Sequence, residues 1–231
     1  MVPGGPVPGF VLAAETDAAF THIDHYTNDE GGFGFVLDQS SRPPVMKFDT
    51  SSEILVLRAV PGPRGDTIFK LDNGATILRQ TLIGGMTLFD SSLSTGRPVV
   101  RDKGGDALTL PGKDPSQIRA RTLVIAERLS VKLNRDITFK LNWNDAPDDR
   151  IALAIMADAL EIVGLALTRV AEDALGREAL ATHLSQVIVA PGEVAKAELK
   201  EGILVITYDG AKGVQGRLSS DALVRYLEGV L

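Results

Sequence analysis

The chain is 231 residues long, 44% hydrophobic and 23% charged, with a formal net charge of −6 and no cysteine. Those totals fit a folded, soluble protein large enough to bury its own core, and they exclude disulfides, cysteine-ligated zinc, iron–sulfur clusters and thiol nucleophiles. The acidic balance and the scattered Lys and Arg argue against a nucleic-acid partner, which needs concentrated positive charge.

Met1 to Gly9 holds three Pro and three Gly. It lacks the basic and apolar regions of a signal peptide and reads as an extended leader that can be deleted. It fits either a native cytoplasmic start or a mature secreted chain with an added Met. From residue 10 to about 112 the pattern is β-rich. Short apolar runs follow one another: Phe33 to Asp38, Val45 to Phe48, Ile54 to Val60, Thr67 to Leu71, Thr76 to Thr81 and Met86 to Phe89. Asp72-Asn73-Gly74 and Gly84-Gly85 mark hairpin turns, and Pro61-Gly62-Pro63 interrupts the ladder. Arg64-Gly65-Asp66 spells an integrin-binding tripeptide but reads as a tight turn with Gly65 at positive φ. Ser91 to Gly112 is turn-rich and is the expected linker.

From residue 113 to 231 helical periods dominate. Asp114, Pro115 and Gln117 form an N-terminal capping signature, and Ile118, Thr122, Ile125, Leu129 and Leu133 share one face. Asp136 to Trp143 alternates like a strand. Pro147, Asp148 and Asp149 open a long helix expected to run to about Leu175 and break at Gly176. Its apolar arc includes Ile151, Ile155, Ile162 and Val163, while Asp158 and Glu161 read as its solvent face and argue against a membrane span. Such a helix needs cover on two sides, from its neighbours, the β half or a second copy of the chain. Further strands are expected at Val187 to Val189, Val194 to Leu199 and Ile203 to Tyr208. A last helix starts at Ser219. The fold class is therefore α+β: an N-terminal antiparallel β-meander or small open barrel, then an α+β layer with helices packed on an antiparallel sheet.

Candidate chemistry is sparse. Two of the three histidines, His22 and His25, flank Asp24 closely enough to hold a divalent metal if the segment is helical, with Asp29 or Glu30 as the nearest further ligand. The competing reading is a polar surface turn. His183 reads as a packed or half-exposed helix residue. Asp145, Asp148 and Asp149 beside Trp143 resemble a glycosidase carboxylate pair, but helix capping accounts for them. No nucleophile elbow or phosphate loop occurs.

The segments Phe35-Val36-Leu37-Asp38, Pro44 to Phe48, Pro63-Arg64-Gly65-Asp66, Leu78 to Thr81 and Gly84-Gly85-Met86-Thr87-Leu88-Phe89 resemble a bacterial family known only as a domain of unknown function. The resemblance is carried by residues 33 to 90 and implies a periplasmic or extracytoplasmic protein, with the cytoplasm as the alternative. It implies no reaction, ligand or catalytic residue. The expected function is a non-catalytic binding or structural module of the bacterial envelope or periplasm. It would take a small ligand or protein partner, no nucleic acid and no cofactor, with homo-oligomerisation left open. The alternative is a metal- or carboxylate-dependent hydrolase using His22, Asp24 and His25, or Asp145 with Asp148.

Overall fold

The computed structural model describes residues 22–28, 32–90, 93–142 and 150–231. The leader, Asp29, Glu30, Ser91, Ser92 and the group Trp143, Asp145, Pro147, Asp148 and Asp149 lie outside the described residues. The first half is one antiparallel meander: β1 (Ile23–Thr27), β2 (Gly34–Asp38), β3 (Val45–Phe48), β4 (Leu55–Val56), β5 (Arg58–Pro61), β6 (Thr67–Lys70), β7 (Thr76–Gln80), β8 (Met86–Asp90) and β9 (Leu93–Gly104). The sheet order is β4-β3-β2-β1-β9-β8-β7-β6-β5. Its two ends, β4 and β5, are consecutive along the chain, with only Leu57 between them. Leu57 N–H donates back to the Pro44 carbonyl at 2.8 Å, while Arg58 pairs forward with Lys70. One kinked segment thus belongs to both edges, and the sheet curls into a nearly closed barrel.

The second corner is β9, which is 12 residues long. Its first part pairs with β8 (Met86↔Val99), and its last part pairs with β1 (Thr27↔Val100, Asp24↔Gly104). The expected linker therefore holds the longest strand of the barrel. Its Gly96, Pro98 and Arg101-Asp102-Lys103 hid it, because half of its length faces water and lacks apolar alternation. The barrel interior is packed by Phe35, Leu37, Met46, Leu57, Phe69 and Leu78, all fully buried. A small barrel filled this way is a core and not a ligand chamber.

The second half contains α1 (Pro115–Leu133), β10 (Thr138–Leu141), α2 (Arg150–Val170), α3 (Ala174–His183), β11 (Gln186–Pro191), β12 (Lys196–Lys200), β13 (Ile203–Tyr208) and α4 (Ser220–Val230). Gln117 accepts from the Asp114 N–H at 3.2 Å, and Ile118, Thr122, Ile125, Leu129 and Leu133 form the buried stripe of α1. The sheet order is β10-β11-β13-β12. It is mixed where the alternating pattern suggested antiparallel: β10, β11 and β13 run parallel, and only β12 opposes them. The helical crossover α2–α3 returns the chain to the same end of the sheet, which forces β10 and β11 parallel. The β12–β13 hairpin then turns β13 back alongside β11 in the same sense.

Helix α2 is the centre of the second core. It packs Ile155, Met156, Ala159, Ile162, Val163 and Leu167 against β11, β13 and the helices. By length and composition it is apolar enough to cross a membrane, but 72% of its most apolar window is buried inside the protein. Two expectations are corrected here. The helix ends at Val170, not near Leu175, because Asp173 caps a new helix by accepting from the Gly176 N–H at 2.9 Å. Asp158 is not on a solvent face. It is 8% exposed and ion-paired with Arg217, whereas Ile151 is 69% exposed. Glu161, partly exposed, pairs with Arg121.

Candidate ligand cleft over the barrel seam

His22, Asp24 and His25 do not converge. The segment after His22 is extended, so Asp24 and His25 project to opposite faces of β1. Asp24 is buried and accepts from Arg101 Nε at 2.7 Å. His25 lies between two carboxylates, with Nε2 2.9 Å from Asp49 Oδ2 and Nδ1 3.2 Å from Asp102 Oδ2. The imidazole thus bridges β1 to β9 and to the turn after β3. Among the described residues, no group of three or more His, Asp or Glu is placed to hold a metal ion. Asp66 of the Arg64-Gly65-Asp66 turn is buried against Arg79, and His183 is exposed on the last turn of α3.

A concave site lies where the barrel seam meets the second half. It is a cleft of about 840 Å³, within the usual range for ligand sites, about 300–1,000 Å³. One wall is the β2–β3 loop, Ser41 to Pro44. The floor is the kinked segment Leu55 to Ala59 with Phe69 and Leu71 beside it. Gln215, Arg217 and Ser219 close the far side. The far side comes from a 3-10 segment, Gly210–Gly216, and the cap of α4. Gly216 is required there: Asp209, at the start of the segment, donates its N–H to the Gly216 carbonyl at 2.6 Å, and a Cβ on Gly216 would collide with the Asp209 carbonyl. Gln215 Nε2 then donates to the Arg42 carbonyl at 3.1 Å and ties the two walls together.

Polar bonds between the halves hold this frame. The Arg217 guanidinium, buried, donates through Nε to Asp158 and through NH2 to the Ile54 carbonyl at 2.9 Å. Asp72 accepts from the Ser219 N–H at 3.1 Å and from its hydroxyl at 2.8 Å. Glu53 accepts from the Ser220 N–H at 2.9 Å and from its hydroxyl at 2.5 Å. Two barrel carboxylates thus meet the N-terminus of α4, where the helix dipole and free N–H groups favour negative charge. Burial pushes the Glu53 carboxyl above its ordinary value, and the Ser220 bonds pull it partly back.

Sequence reasoning located Ser219 as the start of the last helix but not the cleft. Arg42, Arg58, Gln215 and Arg217 stand singly in the sequence, with no spacing that links them. Only the fold brings residues 39–44, 55–59 and 215–219 together. No curated protein and no solved structure matches the chain. One family model does match, over residues 10–227, and its description is Domain of unknown function (DUF4908). With both the barrel and the second layer inside that span, the chain belongs to the DUF4908 family.

Proposed function

We propose that this protein is a non-catalytic binding module of the bacterial envelope or periplasm, and that its ligand sits in the cleft over the barrel seam. The observation that carries the reading is the preorganised frame. Both walls of the cleft are pinned to each other through Gln215 and Arg42, and its base is fixed by Arg217 and Ser219. Rigid walls lower the ordering cost of binding. The barrel interior is filled by side chains, so a ligand is expected in an outer recess such as this cleft. The hydrolase alternative draws on His22, Asp24 and His25, of which Asp24 and His25 face apart and are engaged by Arg101, Asp49 and Asp102, or on Asp145 with Asp148, which lie outside the described residues. The compartment follows from the resemblance of residues 33 to 90, and fractionation of cells expressing a tagged full-length chain tests it.

The binding reading is tested by backbone amide NMR of the full chain titrated with a library of small soluble compounds. Saturable shift changes are expected at residues 39–44, 55–59 and 215–219. Hits that map elsewhere, or none at all, overturn it.

A further inference from the structure

Three arginines line the cleft, and their bonding differs. Arg217 is neutralised by Asp158 beneath the floor. Arg42, on the β2–β3 loop, and Arg58, at the start of β5, are exposed, and neither guanidinium has an ion-pair partner among the described residues. The one acid in the lining, Asp72, has both carboxylate oxygens engaged by Ser219. On a chain of net charge −6, the Asp72 carboxylate offsets part of the charge of Arg42 and Arg58, and the cleft lining carries a small net positive charge. Its floor is of the opposite character: Val56 and Ala59 present apolar surface, with the buried Leu55, Leu57 and Phe69 directly beneath them.

We propose that the cleft takes a free organic anion, with one carboxylate or phosphate head held by Arg42 and Arg58 and an apolar body laid on the floor. This rests on the binding reading above and names its ligand class. The planar guanidinium fork matches a carboxylate or phosphate in a bidentate way. A neutral or cationic ligand filling the same cleft covers two guanidinium groups without giving them a partner, which costs desolvation free energy. Gln39 and Gln215 add amide groups at the rim that can bond to the head. The recess is sized for a small molecule, and its walls are tied at the rim, so the anion enters as a soluble molecule and not as part of a lipid surface.

Three probes of matched length test this on the full chain: decanoate, 1-decanol and decyltrimethylammonium, each followed by calorimetry and by amide shifts. Decanoate is expected to bind at residues 39–44, 55–59 and 215–219, about tenfold or more tighter than decanol, with no cleft binding of the cation. The double variant R42Q/R58Q is expected to lose about tenfold or more in decanoate affinity while leaving decanol unchanged, and R42K/R58K to recover part of the loss. Thermal unfolding confirms that both variants fold, as expected for exposed side chains. Equal binding of decanoate and decanol in the cleft, or indifference to R42Q/R58Q, overturns the anion assignment and leaves the binding reading standing. Failure of all three probes to reach the cleft overturns the anion assignment. The compound-library titration then decides the binding reading separately. Arginine-dependent flotation with phosphatidylglycerol vesicles in place of decanoate binding assigns the charge to a membrane surface and overturns the proposal.

Discussion

Removing the Asp158 carboxylate strands a guanidinium in the interior. The side chains of Arg217 and Asp158 are 3% and 7% exposed, so water cannot replace the lost partner. Breaking a buried pair by deleting one member costs about 3–5 kcal/mol. Arg217 keeps its bond to the Ile54 carbonyl at 2.9 Å, which places Asp158→Ala towards the lower end of that range. Arg217→Met leaves a buried carboxylate and an unpaired Ile54 carbonyl, and is expected to cost at least as much. Asp158→Leu with Arg217→Met removes both charges. Replacing a buried pair by apolar groups is neutral or stabilising by about 1–4 kcal/mol, and the orphaned carbonyl costs about 1–3 kcal/mol. The double variant therefore falls within about 3 kcal/mol of the parent. Urea denaturation read by circular dichroism gives all values, with Glu161→Ala as the control. That pair is partly exposed, and its loss costs under about 1 kcal/mol. If Asp158→Ala costs no more than Glu161→Ala, or the double variant costs the sum of the singles, the buried-pair reasoning is wrong.

Ile162→Ala, in the same helix and fully packed, is expected to lose about 2–5 kcal/mol in the same assay. Glu53 gives a pH signature. Its folded carboxyl is raised by burial, so the unfolded chain releases the proton first, and stability falls as pH rises from the ordinary glutamate value, about 4.3, towards the raised one. Urea midpoints of the parent should therefore decline relative to Glu53→Gln across that window, and parallel curves would show no shift in the folded state. Gly65 has φ +83°, so Gly65→Val is expected to destabilise the barrel by about 1–2 kcal/mol; an unchanged thermal midpoint refutes the turn geometry. Ser219→Ala removes the cap bond to Ala222 N–H and the hydroxyl bond to Asp72. It is expected to cost about 1–2 kcal/mol, with amide exchange quickening first at the start of α4.

The sequence by itself determined what is encoded locally. The capping residues Asp114 and Ser219, the stripe from Ile118 to Leu133 and the hairpin at Asn73-Gly74 were all legible, because a cap, a helical period and a turn each depend on residues a few positions apart. The α+β class followed from those signals in order. The rest depended on partners far along the chain. β1 and β9 pair across a gap that separates His25 from Asp102 by 77 positions, and neither reads as an apolar alternation, because β1 buries Asp24 on its inner face and β9 ends in exposed Arg101, Asp102 and Lys103. The parallel sense of β10, β11 and β13 follows from where the crossover returns the chain, which no strand pattern records. Asp158 looked solvent-facing because an acid on an apolar helix is ordinarily exposed. Its burial is tolerated only because Arg217, 59 positions later, arrives at the same point. The cleft is the extreme case: its residues have no common motif, and Arg217 reaches the seam that Arg42 and Arg58 line through its bonds to Asp158 and Ile54 and the packing of the α4 cap against Glu53 and Asp72.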